Sequence, residues 1–356
     1  MKSALSVLFY PMALLVAGLM VCTSLSIAEQ KDKPKETKPA YVEVRLTDNT
    51  VIDSDPVFSP DMTKVVFVSV SNQEGRSSLH IMDADGKNRK VLLDQPGEAH
   101  ASPQFLPDGK TVLFVYNAGA GSDFATLDIS TGARKNLTSL RGKVFWPAIE
   151  PGGKSFVFVQ LQATTQGLWK CNIEDGTISP FLTGPRSCDQ PTYSPDGKFV
   201  YYCEFDDVGT NLCRVDADGK NRKVLFSYDP EEGGDSILPN VLKDGRVVFQ
   251  TSVKLEYSNI FVMDADGKNA RKLFDAGFPA MWPTVTPDGA RVVFIGNMDI
   301  KKWELYLYTA SDGKLTRLTD NRFEERRVRF SPDGKWVLYV SDVVGNPEIF
   351  KMQIVK

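Results

Sequence analysis

From residue 41 onward, apolar residues come in short runs at successive positions rather than on a helical or strictly alternating period. The runs are "VVFVSV" (65–70), "VLFVY" (112–116), "FVFVQ" (156–160), "FVYYC" (199–203), "VVFQ" (247–250), "VVFIG" (292–296) and "VLYV" (337–340). A strand apolar on both sides is a strand buried on both faces. Polar, Gly-rich and Pro-rich stretches separate the runs, and no segment sustains a 3.6-residue period. The chain therefore reads as all-β.

Each run is preceded by one motif, P-x-x-S-P-D-G-K. It stands as "PVFSPDMTK", "PQFLPDGK", "PAIEPGGK", "PTYSPDGK", "PNVLKDGR", "PTVTPDGA" and "VRFSPDGK". The second proline or its substitute falls at 60, 107, 151, 195, 243, 287 and 332, so the period is 44–48 residues. That is close to the ~40–45 residues of a four-stranded propeller blade. The turn chemistry is local. Pro presets φ for the first corner, Asp suits the second, and Gly takes the left-handed position that follows. "DADGKN", at 83–88, 216–221 and 264–269, is expected to join the third and fourth strands in the same way.

The pentapeptide "RLTDN" occurs at 45–49 and again at 317–321. In the sixth repeat "KLTRLTDN" reads as the outer strand. The seventh repeat has its first three strands and then no fourth. "VEVRLTDN" (42–49) supplies the missing strand from the other end of the chain, which removes free sheet edges. The expected fold is a seven-bladed β-propeller of four-stranded antiparallel blades, closed by the N-terminal strand.

The S-P-D-G-K turn, the apolar second strand and the D-x-x-G turn resemble the WD40-like repeat of the TolB family over residues 41–356. The resemblance implies a periplasmic or envelope role. TolB itself places an α/β domain ahead of a six-bladed propeller, whereas this chain reads as seven blades. Similar repeats also precede the hydrolase domain of prolyl-oligopeptidase-like enzymes.

The chain has 356 residues, a formal net charge of −3 and 24% charged residues. A pI near 5.6 argues against a nucleic-acid partner, which requires a concentrated basic face. Residues 1–28 hold one charge, Lys2, then an apolar run from Ala4 to Val21, then Ser26-Ile27-Ala28. This reads as a signal peptide cleaved after Ala28, and so as export to the periplasm or beyond. An uncleaved anchor, or lipidation at Cys22, are the alternatives. Residues 29–40, "EQKDKPKETKPA", hold nothing to anchor a core and read as a solvated spacer. No stable membrane insertion of the mature chain is expected, and a monomer is.

The chemistry of catalysis is sparse. There is no G-x-S-x-G, P-loop or dinucleotide fingerprint. Only two histidines exist. His80 occupies a slot that other repeats fill with an aromatic, and reads as a core residue. His100 stands before the first strand of the second repeat, at the ring's mouth, and one histidine makes no metal site. Neither metal nor cofactor is expected. Cysteines 171, 188, 203 and 213 fall in the third and fourth repeats. Cys203–Cys213 is the candidate disulfide; the other reading is a pair of apolar core thiols.

A site is expected on the face carrying the second–third and fourth–first loops, which differ from repeat to repeat, and at the mouth of the channel. Directly before the first proline slot stand Asp55, Ser102, Trp146, Gln190, Leu238, Trp282 and Arg327. Trp146, Trp282 and Arg327 have the character of binding hot spots, unless both tryptophans merely seal blade contacts. Tyr257 and Trp303 lie in loops of the same face. Asp55, Asp189 and Glu325 supply mixed charge there, and an acid–base pair in an alternative reading as a carbohydrate- or peptide-active enzyme. The preferred reading is a non-catalytic scaffold for an envelope protein or a peptidoglycan-associated partner, using Asp55, His100, Ser102, Trp146, Asp189, Gln190, Tyr257, Trp282, Trp303, Glu325 and Arg327.

Overall fold

The computed structural model describes residues 41–71, 76–119, 121–140, 142–161, 166–298, 303–321, 323–343 and 345–354. The signal peptide and spacer expected over 1–40, with Cys22, lie outside the described residues.

The described chain forms 28 strands in seven four-stranded antiparallel sheets. Blade 7 takes its outer strand from the start of the chain, β1 (Val42–Arg45). Blade 1 is β2–β5 (Ile52–Phe58, Lys64–Val70, Ser77–Asp83, Lys90–Leu93). Blade 2 is β6–β9 (Glu98–Phe105, Thr111–Ala118, Gly121–Asp128, Arg134–Asn136). Blade 3 is β10–β13 (Lys143–Ile149, Ser155–Leu161, Gln166–Asn172, Ile178–Leu182). Blade 4 is β14–β17 (Ser187–Tyr193, Phe199–Phe205, Thr210–Asp216, Lys223–Phe226). Blade 5 is β18–β21 (Ser236–Val241, Val247–Thr251, Asn259–Met263, Arg271–Lys272). Blade 6 is β22–β25 (Ala280–Val285, Arg291–Gly296, Glu304–Thr309, Lys314–Arg317). Blade 7 completes the ring with β26–β28 (Glu325–Phe330, Trp336–Val343, Asn346–Gln353) in the order β1-β28-β27-β26.

The apolar second strands lie in the middle of this packing. Leu113 and Phe124 of blade 2 share a cluster with Phe156 and Phe158 of blade 3. Val293 and Leu305 of blade 6 share one with Val337 and Tyr339 of blade 7. At the closure, Leu46, Leu338 and Ile349 of blade 7 pack on Phe58, Phe67 and Met82 of blade 1. The turns form as their residues dictate. Asn88, Asn221 and Asn269 each donate from Nδ2 back to the Asp that opens the turn, at 2.5, 2.7 and 2.6 Å. Gly267, at φ +86°, packs so closely on the preceding blade that a Cβ would lie 2.7 Å from the Leu225 carbonyl. There glycine answers both the φ and the approach.

Every first strand carries one bulge. Seven second-strand aromatics, Phe67, Phe114, Phe158, Tyr202, Phe249, Phe294 and Tyr339, each face two first-strand residues. All seven are fully buried. The facing pair is the residue before the proline slot together with the slot itself. Pro cannot donate to the ladder, so it is placed where the ladder breaks. Blade 7 bulges identically around Val328, so the proline favours the bulge but is not what forces it.

The repeated pentapeptide has a structural cause. Arg317 Nη2 pairs with Glu304 at 3.1 Å, the Asn321 N–H donates to that carboxylate at 3.2 Å, and Asn321 Nδ2 donates to Glu325 at 2.8 Å. At the closure, Arg45 Nη2 pairs with Glu348 at 3.4 Å, the Asn49 N–H donates to Glu348 at 2.9 Å, and Asn49 Nδ2 donates to Asp53 at 2.7 Å. The threonines match too: Thr319 and Thr47 Oγ1 each accept a third-strand N–H, from Leu305 and Ile349, at 2.9 Å. Each copy of RLTDN thus satisfies a buried third-strand glutamate and ties it to an acid that opens the next blade.

Two of those opening acids are equivalent yet differently treated. Asp53 is fully buried and held by both Arg89 nitrogens at 2.9 and 3.2 Å. Glu325, also buried, receives among the described residues only Asn321 Nδ2 and the Ser341 hydroxyl, and its Oε2 has no partner among them. Burial, with help from the Glu304 and Glu43 charges, pushes Glu325 up to about 7. A carboxyl with a raised folded-state pKa gives stability that is complete below its unfolded value and is lost as pH rises through the folded one. Stability should therefore fall between about pH 4.5 and pH 7–8, by up to about 3 kcal/mol for this group. Glu325→Gln is expected to flatten that slope, matching the parent at pH 5 and melting higher at pH 8.5. Urea unfolding at the two pH values measures it; equal slopes in parent and variant would refute the assignment.

The Cys203–Cys213 expectation is corrected. In the β15–β16 ladder Cys203 lies opposite Leu212 and Cys213 opposite Tyr202. The register is one residue off the symmetric pairing, so the two side chains project from opposite faces of the blade and cannot bridge. All four described cysteines are free and buried. Burial pushes the Cys171, Cys188 and Cys213 thiols up to about 12.

Candidate functional site

The first strands of successive blades approach one another and form the inner ring: β2 with β6, β10 with β14, β14 with β18, β18 with β22, β22 with β26 and β26 with β2. On this ring the bulge sets one residue per blade in the left-handed region. These are Asp55, Ser102, Trp146, Gln190, Leu238, Trp282 and Arg327, with φ between 50° and 56°. For residues other than Gly or Asn this conformation costs about 1–2 kcal/mol each. Such strain, held by a rigid scaffold, concentrates at working sites.

What the ring presents varies from blade to blade. Trp146 and Trp282 are 42% and 45% exposed, while the largest aromatics of the second strands are sealed. Contacts run from each blade to the next. Gln104 Nε2 donates to the Pro147 carbonyl at 2.8 Å, and Asn240 Nδ2 to the Pro283 carbonyl at 3.2 Å. Gln190 Oε1 accepts the Leu238 N–H at 2.9 Å. Arg327 Nε pairs with Asp55 at 3.2 Å, across blades 7 and 1. Arg329, two residues on, is exposed in the ring. Asp189, beside Gln190, accepts that residue's N–H at 2.7 Å; burial still pushes its carboxyl up to about 6.

Of the residues expected from sequence, Asp55, Ser102, Trp146, Gln190, Trp282 and Arg327 share the one ring position. Tyr257 is half-buried in the second–third loop of blade 5, and Trp303 packs on the cluster between blades 6 and 7. Two expectations are corrected. His100 is not at the mouth: it lies inside β6, 1% exposed, with Nδ1 2.9 Å from the Ser77 carbonyl and its ring edge against Phe114. Glu325, 2% exposed, opens β26 in the interior rather than on the rim. His80 is half-buried against Phe67, and burial lowers its pKa.

Sequence reasoning missed the buried acids Asp53, Glu304 and Glu348, although RLTDN was their signal. It also missed a cavity of about 400 Å³ at the turn-side end of the ring, among Gln104, Pro147, Ala148, Glu150, Pro191 and Thr192. Among the described residues no group of three or more His, Cys, Asp or Glu is arranged to hold a metal ion. No helix among them is long and apolar enough to cross a membrane.

A family model described as the TolB beta propeller domain matches residues 62–211 and 206–356. The Tol-Pal system protein TolB of Francisella tularensis subsp. tularensis is 33% identical over 97 residues, which is 26% of this chain and 22% of that protein. Among solved structures, an oligogalacturonate lyase in complex with manganese superposes with a TM-score of 0.76 at 16% identity, over 88% of this chain and 93% of the other. TolB from Acinetobacter baumannii superposes with a TM-score of 0.52 at 14% identity, over 82% and 80%. At such identities the likeness establishes the fold alone.

Proposed function

Because the chain belongs to the TolB beta propeller domain family, we propose that it is an exported, non-catalytic binding scaffold that engages an envelope protein or a peptidoglycan-associated partner. The observation that carries this reading is the pair of exposed tryptophans, Trp146 and Trp282, held in strained left-handed positions on the same ring as Arg327. Large aromatics and arginine are the residues that dominate binding energy when a partner desolvates them. The N-terminal stretch read above as a signal peptide and the Tol-Pal name of the relative motivate the envelope as the compartment.

The test is capture of partners from an envelope extract, then affinity measurement on the protein identified. Trp282→Ala or Arg327→Ala is expected to weaken binding by about tenfold or more, as loss of a hot-spot anchor does. Lys87→Ala and Lys220→Ala, on exposed third–fourth turns, are expected to stay within about twofold. The reverse order would move the site to the turn face.

A catalytic reading has one observation in its favour, the Asp189 carboxyl held near 6 beside the ring, where it has the pKa of a general acid. Asp55 is engaged by Arg327 and Glu325 is buried, so Asp189 lacks an evident second carboxyl. Turnover of an oligosaccharide or peptide that disappears in Asp189→Asn would favour this reading over the scaffold.

A further inference from the structure

We propose that the ring sector formed by blades 6, 7 and 1 is a binding site for a carboxylate carried beside a flat face. The site rests on the ring geometry described above, but not on the partner being a protein. Blade 7 departs from the other six in three ways. It writes "RRVRF" where they place a proline, so Val328 keeps a backbone N–H that the slot otherwise lacks. Its residue before the slot, Arg327, is exposed and pairs with Asp55 at 3.2 Å. Its residue after the slot, Arg329, has solvent-accessible surface within the ring, where its surroundings and Arg327 push its pKa down against the attraction of Asp55, and it makes no hydrogen bond or ion pair among the described residues.

Two guanidinium groups face one carboxylate, which leaves one positive charge on this sector of the ring. A guanidinium within a protein wall gains most from a planar anion that accepts two parallel N–H bonds, and a carboxylate is that anion. Trp282 holds the equivalent position one blade earlier, in the left-handed region and 45% exposed. Its indole offers a platform to whatever the carboxylate is attached to. Across the ring the corresponding residues are Ser102, Trp146, Gln190 and Leu238, and Asp189 lies beside Gln190.

Sugar acids and the C-terminal residues of peptides share this chemistry, and paired probes separate them. Calorimetric titration of the full chain would use glucuronate against glucose, and the peptide Gly-Gly-Phe as the free acid against its amide. At least one acid is expected to bind about tenfold or more tightly than its neutral twin. Arg329→Gln should abolish that difference, with Arg329→Met as the variant to use if Gln lowers the melting temperature. Asp55→Asn should tighten acid binding severalfold, because it releases Arg327 from its internal competitor. Acid and neutral probes binding alike, no acid binding up to about 10 mM, or unchanged acid binding in Arg329→Gln would each overturn the proposal. Preference for the sugar acid alone would keep this site and sink the protein-partner reading. Failure to capture any protein partner, with peptide-acid binding intact, would sink only the scaffold.

Discussion

A chain lacking residues 41–50 is expected to unfold far more readily than the parent, because those ten residues close the ring. Without β1, β28 becomes a free edge, having lost the ladder in which Val42 faces Gln353 and Arg45 faces Phe350. Leu46 leaves its place among Phe58, Met82 and Leu338, at a cost of about 2–3 kcal/mol. Thr47 no longer satisfies the Ile349 N–H. Glu348, fully buried, loses both the Arg45 guanidinium and the Asn49 N–H. Removing the partner of a buried charge costs about 3–5 kcal/mol. These losses sum to about 5 kcal/mol or more before edge effects, a large share of a domain's net stability. The control lacks residues 29–40, a stretch without core-forming side chains, and is expected to melt like the parent. Calorimetric melting of the three proteins decides it. If both deletions melt like the parent, the N-terminal strand does not hold the ring shut.

Arg317→Ala is expected to destabilise by about 3–5 kcal/mol, far more than a surface arginine would. The change leaves the Glu304 carboxylate 1% exposed with only the Asn321 N–H as a described donor to it, and its Oε2 already has no partner among the described residues. It also removes the Nε bond to the Thr319 carbonyl at 2.8 Å, which shapes the exit of β25. The charge is what makes the loss large. Glu304→Gln in the Arg317→Ala background should therefore recover most of it, since a neutral amide costs less to bury alone than a carboxylate. A double-mutant cycle by urea unfolding isolates the coupling. Additive losses, with no recovery in the double variant, would show that Glu304 is not held by Arg317.

The repeat, its period and the closure were legible in the residues alone. Those follow from local chemistry: Pro-Asp-Gly turns, second strands apolar on both sides, and an outer strand missing at one end and present at the other. The position before the proline slot was legible as a set, but not its conformation. Nothing in the residue types Asp, Ser, Trp, Gln, Leu, Trp and Arg announces a left-handed backbone. That conformation arises because two residues must face one buried aromatic across the ladder. The cysteines misled for a related reason. A one-residue shift in hairpin register reverses the face on which a side chain lies, and loop length alone does not set register. His100 and Glu325 read as polar residues near a rim, yet each takes the buried side of its first strand. Which side is buried is decided by the neighbouring blade, nearly fifty residues or a whole ring away, and that packing exists only once the propeller has closed.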